Sequence, residues 1–373
     1  MSERDGGEDL LIVAGEASGD IHAAELLLAL KRLRPDLRAF GLGGRHCEAA
    51  GLERLAESSE ISVVGITEVW RILGRARQIF KSLLGEVERR GARTALLIDF
   101  PDFNLRLAKA LKKRGVKVVY YVSPQVWAWR KGRVKTIARV VDEMLVLFPF
   151  EQAFYREHGV EAIHVGHPLV DQVPVLERRE AGVGLSICLL PGSRASEVRE
   201  HLPVMARAVK LLAESFDLTA SWVVGSELDA TDFTEFIPDG LSLEQVPGDR
   251  FRAIADADLV LCASGTATLE VGLLGTPMVV VYRVSRLTSW VGRALISLPN
   301  ISLVNLVLGS GVVPELLQGQ ATAERIAAEA GRLLGDPEAR QNMSRDLGRL
   351  RTLLGEPGAS ERAAAIVDTV LAT

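Results

Sequence analysis

The sequence alternates short, apolar, β-rich runs with amphipathic helical stretches almost throughout, and it does so in two successive series. Strands that alternate with helices form parallel sheets with right-handed crossovers. The sequence therefore predicts an α/β chain with two Rossmann-like parallel-sheet domains that face each other across a cleft. The predicted strands are residues 10–14, 94–99, 117–122, 143–148 and 162–165 in the first series and 185–190, 220–224, 259–262 and 278–282 in the second.

The boundary between the two series is predicted at residues 170–184, which mix proline, glycine and charge. The 373 residues are also more than one compact core usually spans. We expect four parts. They are a disordered leader (1–9), a first Rossmann-like domain (10–172), a second Rossmann-like domain (173–340) and C-terminal helices (341–373) that pack back on the N-terminal half or on a partner chain.

Composition narrows the class of protein. A net charge of −4 gives no electrostatic reason to expect nucleic acid as a partner. The three cysteines lie far apart among small or apolar neighbours, which is typical of buried thiols in a reducing compartment. The N-terminal residues are charged, and no apolar stretch reaches the length of about 18 residues needed to span a bilayer. We predict a cytoplasmic protein that is at most held at a membrane surface.

An anion site is predicted after the strand at residues 185–190. Gly192 lets the backbone approach a ligand closely, Ser193 offers a hydroxyl, and Arg194 offers two parallel donors for phosphate oxygens. Pro203 predicts that the main helix begins only near Leu202. The alternative is an ordinary strand-to-helix turn with a surface arginine.

A second signal in the same domain favours the phosphate interpretation. Ser264, Gly265 and Thr266 follow the strand at 259–262 and open a predicted helix, whose dipole favours an anion at its N-terminus. Glu270 lies about one turn inside this helix, where a carboxylate can accept from both hydroxyls of a ribose; its alternative role is to complement the helix dipole. Two such loops at carboxyl ends of parallel strands predict a nucleotide site.

The first domain is acidic at the corresponding positions. Glu16 and Asp20 follow the first strand, and Asp99 ends the strand at 94–99, with Asn104 a few residues on. Carboxylates clustered in one pocket suit a general base that takes a proton from a hydroxyl, and they raise one another's pKa. Asp20, like Asp102, is alternatively a helix cap. Asp99 and Glu16 have no such local explanation, and we favour them as catalytic residues.

The segment after the strand at 117–122 predicts an acceptor-binding loop with aromatic stacking surface. Its candidate contacts are Ser123, Gln125, Trp127 and Trp129. The alternative is that both tryptophans belong to the core and that the basic residues beyond them form a solvated helix face.

Residues 63–84 interleave apolar, aromatic and basic side chains. This pattern suits an interfacial helix on an anionic membrane, although an amphipathic helix packed on its own domain gives much the same pattern. The excess of apolar residues favours the membrane. The predicted membrane contacts are Val64, Val69, Trp70, Ile72, Leu73, Ile79 and Phe80.

An ordered set of motifs resembles one family. The motifs are AGEASGD, IDFPDFN, YVSPQVWAWR, FPFEQAFYREHGV, VGHPLVD, LLPGSRASE, ASGTATLE, PMVVVYR and SLPN. Together they are similar to bacterial lipid-A-disaccharide synthase, an inverting glycosyltransferase of GT-B architecture in glycosyltransferase family 19. The resemblance implies a reaction that joins UDP-2,3-diacylglucosamine to 2,3-diacylglucosamine 1-phosphate (lipid X), giving a β-1,6-linked disaccharide phosphate and UDP.

The resemblance also implies roles for individual residues. Asp99 would deprotonate the acceptor 6-hydroxyl with help from Glu16, although position alone leaves open which of the two is the base. The acceptor side, in the first domain, would include Ser18, Asp20 and Asn104. The UDP side, in the second domain, would include Asn300 and Gln318 from the C-terminal part. The family further implies a homodimer with exchanged C-terminal segments, work at the inner leaflet, and no metal or cofactor.

Two other classes of function stay open at this point. Another GT-B enzyme acting on a UDP-sugar, such as a UDP-N-acetylglucosamine 2-epimerase or a peptidoglycan transferase, would share the motifs of the second domain. A non-catalytic lipid-binding module is the other alternative. The intact set of Asp99, Glu16 and Arg194 argues against it.

Overall fold

A computed structural model describes residues 8–60, 69–127, 131–177, 184–225, 228–246, 248–283 and 300–373. The chain forms two compact units. The first comprises the chain up to Pro168 together with Gly355–Thr373, and the second comprises Leu169–Leu354. The boundary predicted after residue 172 falls at the end of a short helix, Leu169–Gln172, that belongs to the second unit.

The first unit is built on a seven-stranded parallel sheet of order β3-β2-β1-β4-β5-β6-β7. Every residue of 10–14 and 95–98, in the two central strands, is fully buried, because helices cover both faces of such a sheet. The strands are β1 (Asp9–Ala14), β2 (Arg38–Gly43), β3 (Leu52–Glu57), β4 (Thr94–Ile98), β5 (Lys117–Tyr121), β6 (Glu143–Val146) and β7 (Ile163–His164). The helices are α1 (Ala17–Leu33), α2 (Arg45–Ala49), α3 (Val69–Arg90), α4 (Pro101–Lys112), α5 (Val134–Val140) and α6 (Pro149–Glu157).

The second unit repeats this plan with a six-stranded parallel sheet of order β10-β9-β8-β11-β12-β13. Its strands are β8 (Leu185–Leu190), β9 (Leu218–Trp222), β10 (Glu244–Gln245), β11 (Leu259–Ala263), β12 (Met278–Tyr282) and β13 (Glu315–Leu317). Its helices are α7 (Leu169–Gln172), α8 (Ala195–Leu212), α9 (Arg250–Asp256), α10 (Ala267–Leu273), α11 (Leu303–Leu308), α12 (Ala323–Leu334), α13 (Pro337–Leu347) and α14 (Leu350–Leu354).

The last helix, α15 (Ala359–Leu371), belongs to the first unit. Ala363 and Val367 are fully buried in the apolar cluster that α1 also lines, and Asp368 pairs with Arg34 just beyond the end of α1. The prediction that residues 341–373 return as one segment is wrong for α13 and α14. These helices stay in the second unit, where Leu347 of α13 and Leu350 of α14 both pack beside Gly272 of α10.

The state of the cysteines and the membrane-spanning potential of the helices were both predicted from composition. Cys47, Cys188 and Cys262 are buried free thiols, as predicted. Within the described ranges, no helix is both long enough and apolar enough to cross a membrane.

Candidate functional site

A strained turn lies at the carboxyl end of β4. Asp99 and Phe100 both adopt left-handed backbone conformations, with φ of 43° and 46°. Such residues cost about 1–3 kcal/mol each and persist only where the surroundings hold them. Here the amide nitrogen of Asp99 donates to the carbonyl of Tyr121 at 3.1 Å, and the Asp99 carbonyl accepts from Asn104 Nδ2 at 2.8 Å and from the Tyr120 hydroxyl. The turn is therefore fixed by its backbone, which leaves the carboxylate of Asp99 for chemistry.

The same turn packs directly on the loop after β1. A Cβ added to Gly15 would lie 2.3 Å from an atom of the Phe100 ring, so only glycine fits at this position. Glu16 follows immediately, is exposed, and occupies the N-cap of α1 without a capping bond from its side chain. The contact between Gly15 and Phe100 thus brings the turns that carry Glu16 and Asp99 together.

The electrostatics of this pair suit proton transfer near neutral pH. Burial, with added repulsion from Glu16, raises the pKa of Asp99 to about 7, against the opposing hydrogen bond from the Phe100 amide. A general base works best when its pKa lies close to the operating pH. The predicted pairing of Asp99 with Glu16 therefore has a geometric and an electrostatic basis.

Asp20 does not take part in this pair. It is 3% exposed, and its carboxylate accepts from the amide nitrogens of Gly44 at 2.6 Å, His46 at 3.0 Å and Cys47 at 3.2 Å. Burial favours the neutral form, but the hydrogen bonds outweigh it and hold the pKa of Asp20 below its ordinary value. The prediction that Asp20 contacts the acceptor is wrong, because its oxygens fasten α1 to Gly44 and the first turn of α2.

The prediction for Asn104 needs the same correction. Its side chain is fully buried, and Nδ2 donates to the carbonyls of Ile98 at 3.1 Å and Asp99 at 2.8 Å. It supports the strained turn from behind and is not open to an acceptor. The capping alternatives are also wrong: Phe100 and Glu16 occupy the two N-caps, while Asp102 pairs with Arg133.

The acceptor loop, defined here as residues 122–127, is held by α6, which sequence reasoning missed. Ser123 is 6% exposed, and its hydroxyl lies 2.9 Å from both the Pro124 carbonyl and the Tyr155 hydroxyl. Trp127 is half-buried and donates from Nε1 to Glu151 Oε1 at 3.3 Å. Direct acceptor contact by Ser123 is therefore contradicted, since its hydroxyl is already used inside the unit.

Two other predicted acceptor contacts are exposed. They are Ser18, near the start of α1, and Gln125, in the acceptor loop. Trp129 lies outside the described residues.

The sequence signal that could have found Glu151 is the motif FPFEQAFY, in which Glu151 and Tyr155 are four residues apart and so share one face of a helix.

The predicted membrane contacts divide into three groups. Ile79 is 3% exposed in the core of the first unit, so its prediction as a membrane contact is wrong. Phe80 is partly buried against that core and lies edge-on to Phe103 at 5.8 Å between ring centroids. The others lie outside the described residues (Val64) or have side chains outside them (Val69, Trp70, Ile72 and Leu73).

The loop after β8 has the predicted glycine turn but a different helix start. Gly192 adopts a φ of +134°, and a Cβ there would lie 2.5 Å from Glu197 Cβ. Helix α8 begins at Ala195, with Arg194 at its N-cap, and runs through Pro203. The predicted start near Leu202 is wrong, because the helix tolerates the proline in its interior.

The donors of this loop are already engaged by Glu197. Its Oε2 accepts from the amide nitrogens of Ser193 at 3.0 Å and Arg194 at 3.3 Å, and its Oε1 accepts from the Arg194 guanidinium at 3.1 Å. An internal carboxylate therefore lies where a phosphate was predicted. Glu197, three residues after the N-cap residue Arg194, accepts from the N-cap amide as the glutamate of a capping box does, whereas the Arg194 side chain has no acceptor for the reciprocal bond.

The second predicted anion loop, residues 264–266, lies directly before a helix, as the sequence predicts. Helix α10 begins at Ala267, with Thr266 at its N-cap, and Ser264 and Gly265 precede it directly. Glu270 is 9% exposed and accepts from Arg250 at 2.9 Å. Burial raises the pKa of Glu270, against the opposing charge of Arg250. Sequence reasoning missed Arg250, whose guanidinium also lies over the Phe251 ring, 4.9 Å from its centroid.

Gln318 has an unusual backbone conformation and, within the described ranges, an unpaired side-chain donor. It follows β13 directly with a φ of 50°, and its buried Nε2 has no hydrogen-bond partner among the described residues. Asn300 is half-buried at the edge of the described part.

Among the described residues, each non-glycine residue with positive φ follows the carboxyl end of a strand: Asp99 and Phe100 after β4, Val122 after β5, and Gln318 after β13. Ligands bind at these strand ends in open α/β sheets.

The fold resembles those of solved sugar-nucleotide enzymes. The calicheamicin glycosyltransferase CalG4 matches with a TM-score of 0.63 at 16% identity, over 98% of this chain and 99% of that chain. A UDP-GlcNAc 2-epimerase from Neisseria meningitidis, crystallised with UDP-GlcNAc, gives a TM-score of 0.61 at 12% identity, over 98% and 100%. Two parallel-sheet units with these neighbours define a GT-B glycosyltransferase fold.

The sequence profile of the lipid-A-disaccharide synthetase family matches residues 10–370. A lipid-A-disaccharide synthase from Myxococcus xanthus (strain DK1622) is 48% identical over 365 residues, which cover 95% of each chain. The chain therefore belongs to the lipid-A-disaccharide synthetase family, which confirms the resemblance seen in the motifs.

Proposed function

We propose that the chain transfers a 2,3-diacylglucosamine unit from UDP to the 6-hydroxyl of 2,3-diacylglucosamine 1-phosphate, with inversion at the anomeric carbon. Family membership makes it a hexosyltransferase that forms the lipid A disaccharide. The observation that carries the finer proposal is Asp99. It is a largely buried carboxylate on a strained turn beside Glu16, with a pKa raised to about 7.

The proposed chemistry assigns Asp99 the part of general base. Its carboxylate takes the proton of the acceptor 6-hydroxyl while that oxygen attacks C1 of the donor sugar, on the face opposite UDP. The bond between C1 and the diphosphate oxygen breaks, and UDP leaves with the electron pair. Burial is the main cause of the raised Asp99 pKa, and Glu16 assists by a repulsion that raises it further. Raising that pKa makes the carboxylate a stronger base.

The second unit is proposed to hold UDP. Arg194 and the amides of Ser193 and Thr266 would stabilise the diphosphate as it leaves, a role for preorganised donors. Glu270 would accept from the ribose hydroxyls. The remaining proposed donor-side residues are Gly192, Ser264, Gly265, Asn300 and Gln318.

Partners and location are also proposals. Both substrates carry acyl chains, so we place the protein at the cytoplasmic face of the inner membrane, with the apolar and basic residues of 63–75 as the contact. A homodimer with exchanged C-terminal segments is the proposed assembly. Its test is the mass in solution of the purified chain.

One experiment separates this proposal from the epimerase alternative that the fold alone allows. UDP release is measured from UDP-2,3-diacylglucosamine with and without lipid X, for wild type and Asp99→Ala. We expect release that requires lipid X and collapses in the variant. Turnover of unacylated UDP-N-acetylglucosamine without lipid X would support the epimerase instead. Lipid binding with no UDP release from either donor would support a non-catalytic module.

A further inference from the structure

Glu151 is a buried acid that the proposed chemistry does not use. It is 2% exposed on the first turn of α6, where its carboxyl group accepts hydrogen bonds from Trp127 Nε1 and the Phe148 amide. Burial raises its pKa to about 8, against the hydrogen bonds that it accepts. Burying a polar group is unfavourable unless it is hydrogen-bonded, so the partners of this acid indicate what it does.

The contacts of Glu151 lead to the acceptor loop. Oε2 accepts from the Phe148 amide at 3.2 Å, which anchors the carboxyl group to the start of α6. Oε1 accepts from Trp127 Nε1 at 3.3 Å, and the side chain also contacts the Ser123 hydroxyl. One buried group thus joins both ends of the loop to one helix.

The loop needs such an anchor because it begins in strain. Val122 has a φ of +64°, which is a genuine outlier for a β-branched residue. Aromatic contacts add orientation. The Trp127 ring stands edge-on to Phe150 at 5.1 Å between centroids, and Phe150 stacks on Phe148 at 5.4 Å. These rings fix the plane of the indole, and Glu151 fixes its direction.

We propose that Glu151 is a positioning residue that holds the acceptor loop, through the indole of Trp127, in the arrangement that binds the acylated sugar phosphate. The inference rests on the proposed function, in which this loop contacts the acceptor. Glu151 itself touches no substrate in this scheme. Its effect is therefore expected in acceptor binding and not in the chemical step.

The test is a double-mutant cycle on the full chain with Glu151→Gln and Trp127→Phe. The glutamine offers one acceptor oxygen where the acid offers two, and the phenylalanine lacks only the N–H donor and the second ring. We expect each single variant to raise the KM for lipid X by about fivefold to tenfold, as the loss of one hydrogen bond implies. Because both substitutions break the same hydrogen bond, the KM of the double variant should not exceed that of the single variant with the higher KM. The kcat and the affinity for UDP should not change.

A second readout does not depend on activity. Arg130 and Lys131 follow the loop and are trypsin sites, and both single variants should be cut there faster than wild type while their melting temperatures stay close to it. Glu157→Gln, an exposed acid on the same helix, is the matched control. If the double variant raises KM by the product of the two single effects, the proposal is overturned. It is also overturned if Glu151→Gln changes neither the KM nor the rate of cleavage. If wild type shows no release that depends on lipid X, the proposed function fails and cleavage alone decides the part of Glu151.

Discussion

The carboxylate of Glu197 lies 3.0 Å from the amide nitrogen of Ser193 and accepts its hydrogen bond. Together with the contacts to Arg194, this carboxylate occupies the donors that were predicted to bind the diphosphate of UDP. A bound diphosphate would have to displace it. The loop therefore has an internal anion as a competitor.

This arrangement predicts that Glu197→Ala binds UDP more tightly than wild type. The substitution frees two amide donors and removes a negative charge, so we expect a gain of several-fold at low salt that shrinks as salt screens the charge. Titration calorimetry with UDP measures it. Glu200→Ala makes the same change of charge on the same helix and should show a smaller gain. Weaker binding by Glu197→Ala would mean that the carboxylate supports the loop instead of competing with the ligand.

The pair of Asp99 and Glu16 predicts the pH dependence of activity. A general base must be deprotonated, so kcat should fall as the pH drops below about 7, the value to which the Asp99 pKa is raised. Glu16→Gln removes the repulsion and should shift this acid limb to lower pH. Asp99→Asn should lower kcat by about 10²–10⁴-fold, the usual contribution of a general base. Full activity of Asp99→Asn with loss in Glu16→Gln would reverse the assignment.

Gly15 and Gly19 form a matched pair for testing the strained turn. A methyl group at Gly15 would overlap the Phe100 ring at 2.3 Å, whereas one at Gly19 would meet Ile98 Cγ2 at an ordinary 3.5 Å. We expect Gly15→Ala to lower both kcat and the free energy of unfolding, the latter by about 1–3 kcal/mol, as overpacking does. Gly19→Ala lies inside α1 and should be neutral or stabilising. Denaturant unfolding and UDP release measure the two effects, and equal behaviour of the variants would contradict the packing argument.

Asn104 predicts a further link between stability and activity. Asn104→Ala removes the donor to the carbonyls of Ile98 and Asp99 in a fully buried place. Loss of these two buried hydrogen bonds should cost about 1–3 kcal/mol of folding free energy, although the Tyr120 hydroxyl still donates to the Asp99 carbonyl. The acid limb of kcat should also move, because the turn that buries Asp99 loosens. A variant that loses stability but keeps the wild-type pH profile would limit Asn104 to a purely structural part.

Much of the fold could be predicted from the alternation of strand and helix, but four strands could not. Gly41 and Gly43 interrupt the apolar run of β2, and β3 alternates apolar with charged side chains (LERLAE) like a surface helix or loop. The strands β10 and β13 span only two and three residues. Their place is set by pairing with neighbours that are distant in sequence.

The residues of the candidate site were also predictable only in part. Asp99 and Glu16 were predictable because each follows a strand whose carboxyl end is marked in the sequence. Arg250 was not, since it reaches Glu270 only through packing of separate elements. Glu151 is marked in the sequence by its four-residue spacing from Tyr155, but its contact with Trp127 depends on how α6 packs against the acceptor loop.

The return of α15 to the first unit has a consequence for the order of folding during synthesis. Domains usually fold from the N-terminus as the chain emerges. Here the N-terminal unit lacks Ala363, Val367 and Leu371 of its core until the last helix has been made, whereas the second unit is one uninterrupted segment. The second unit can therefore complete its fold first, and the first unit closes only once α15 has followed it out of the ribosome.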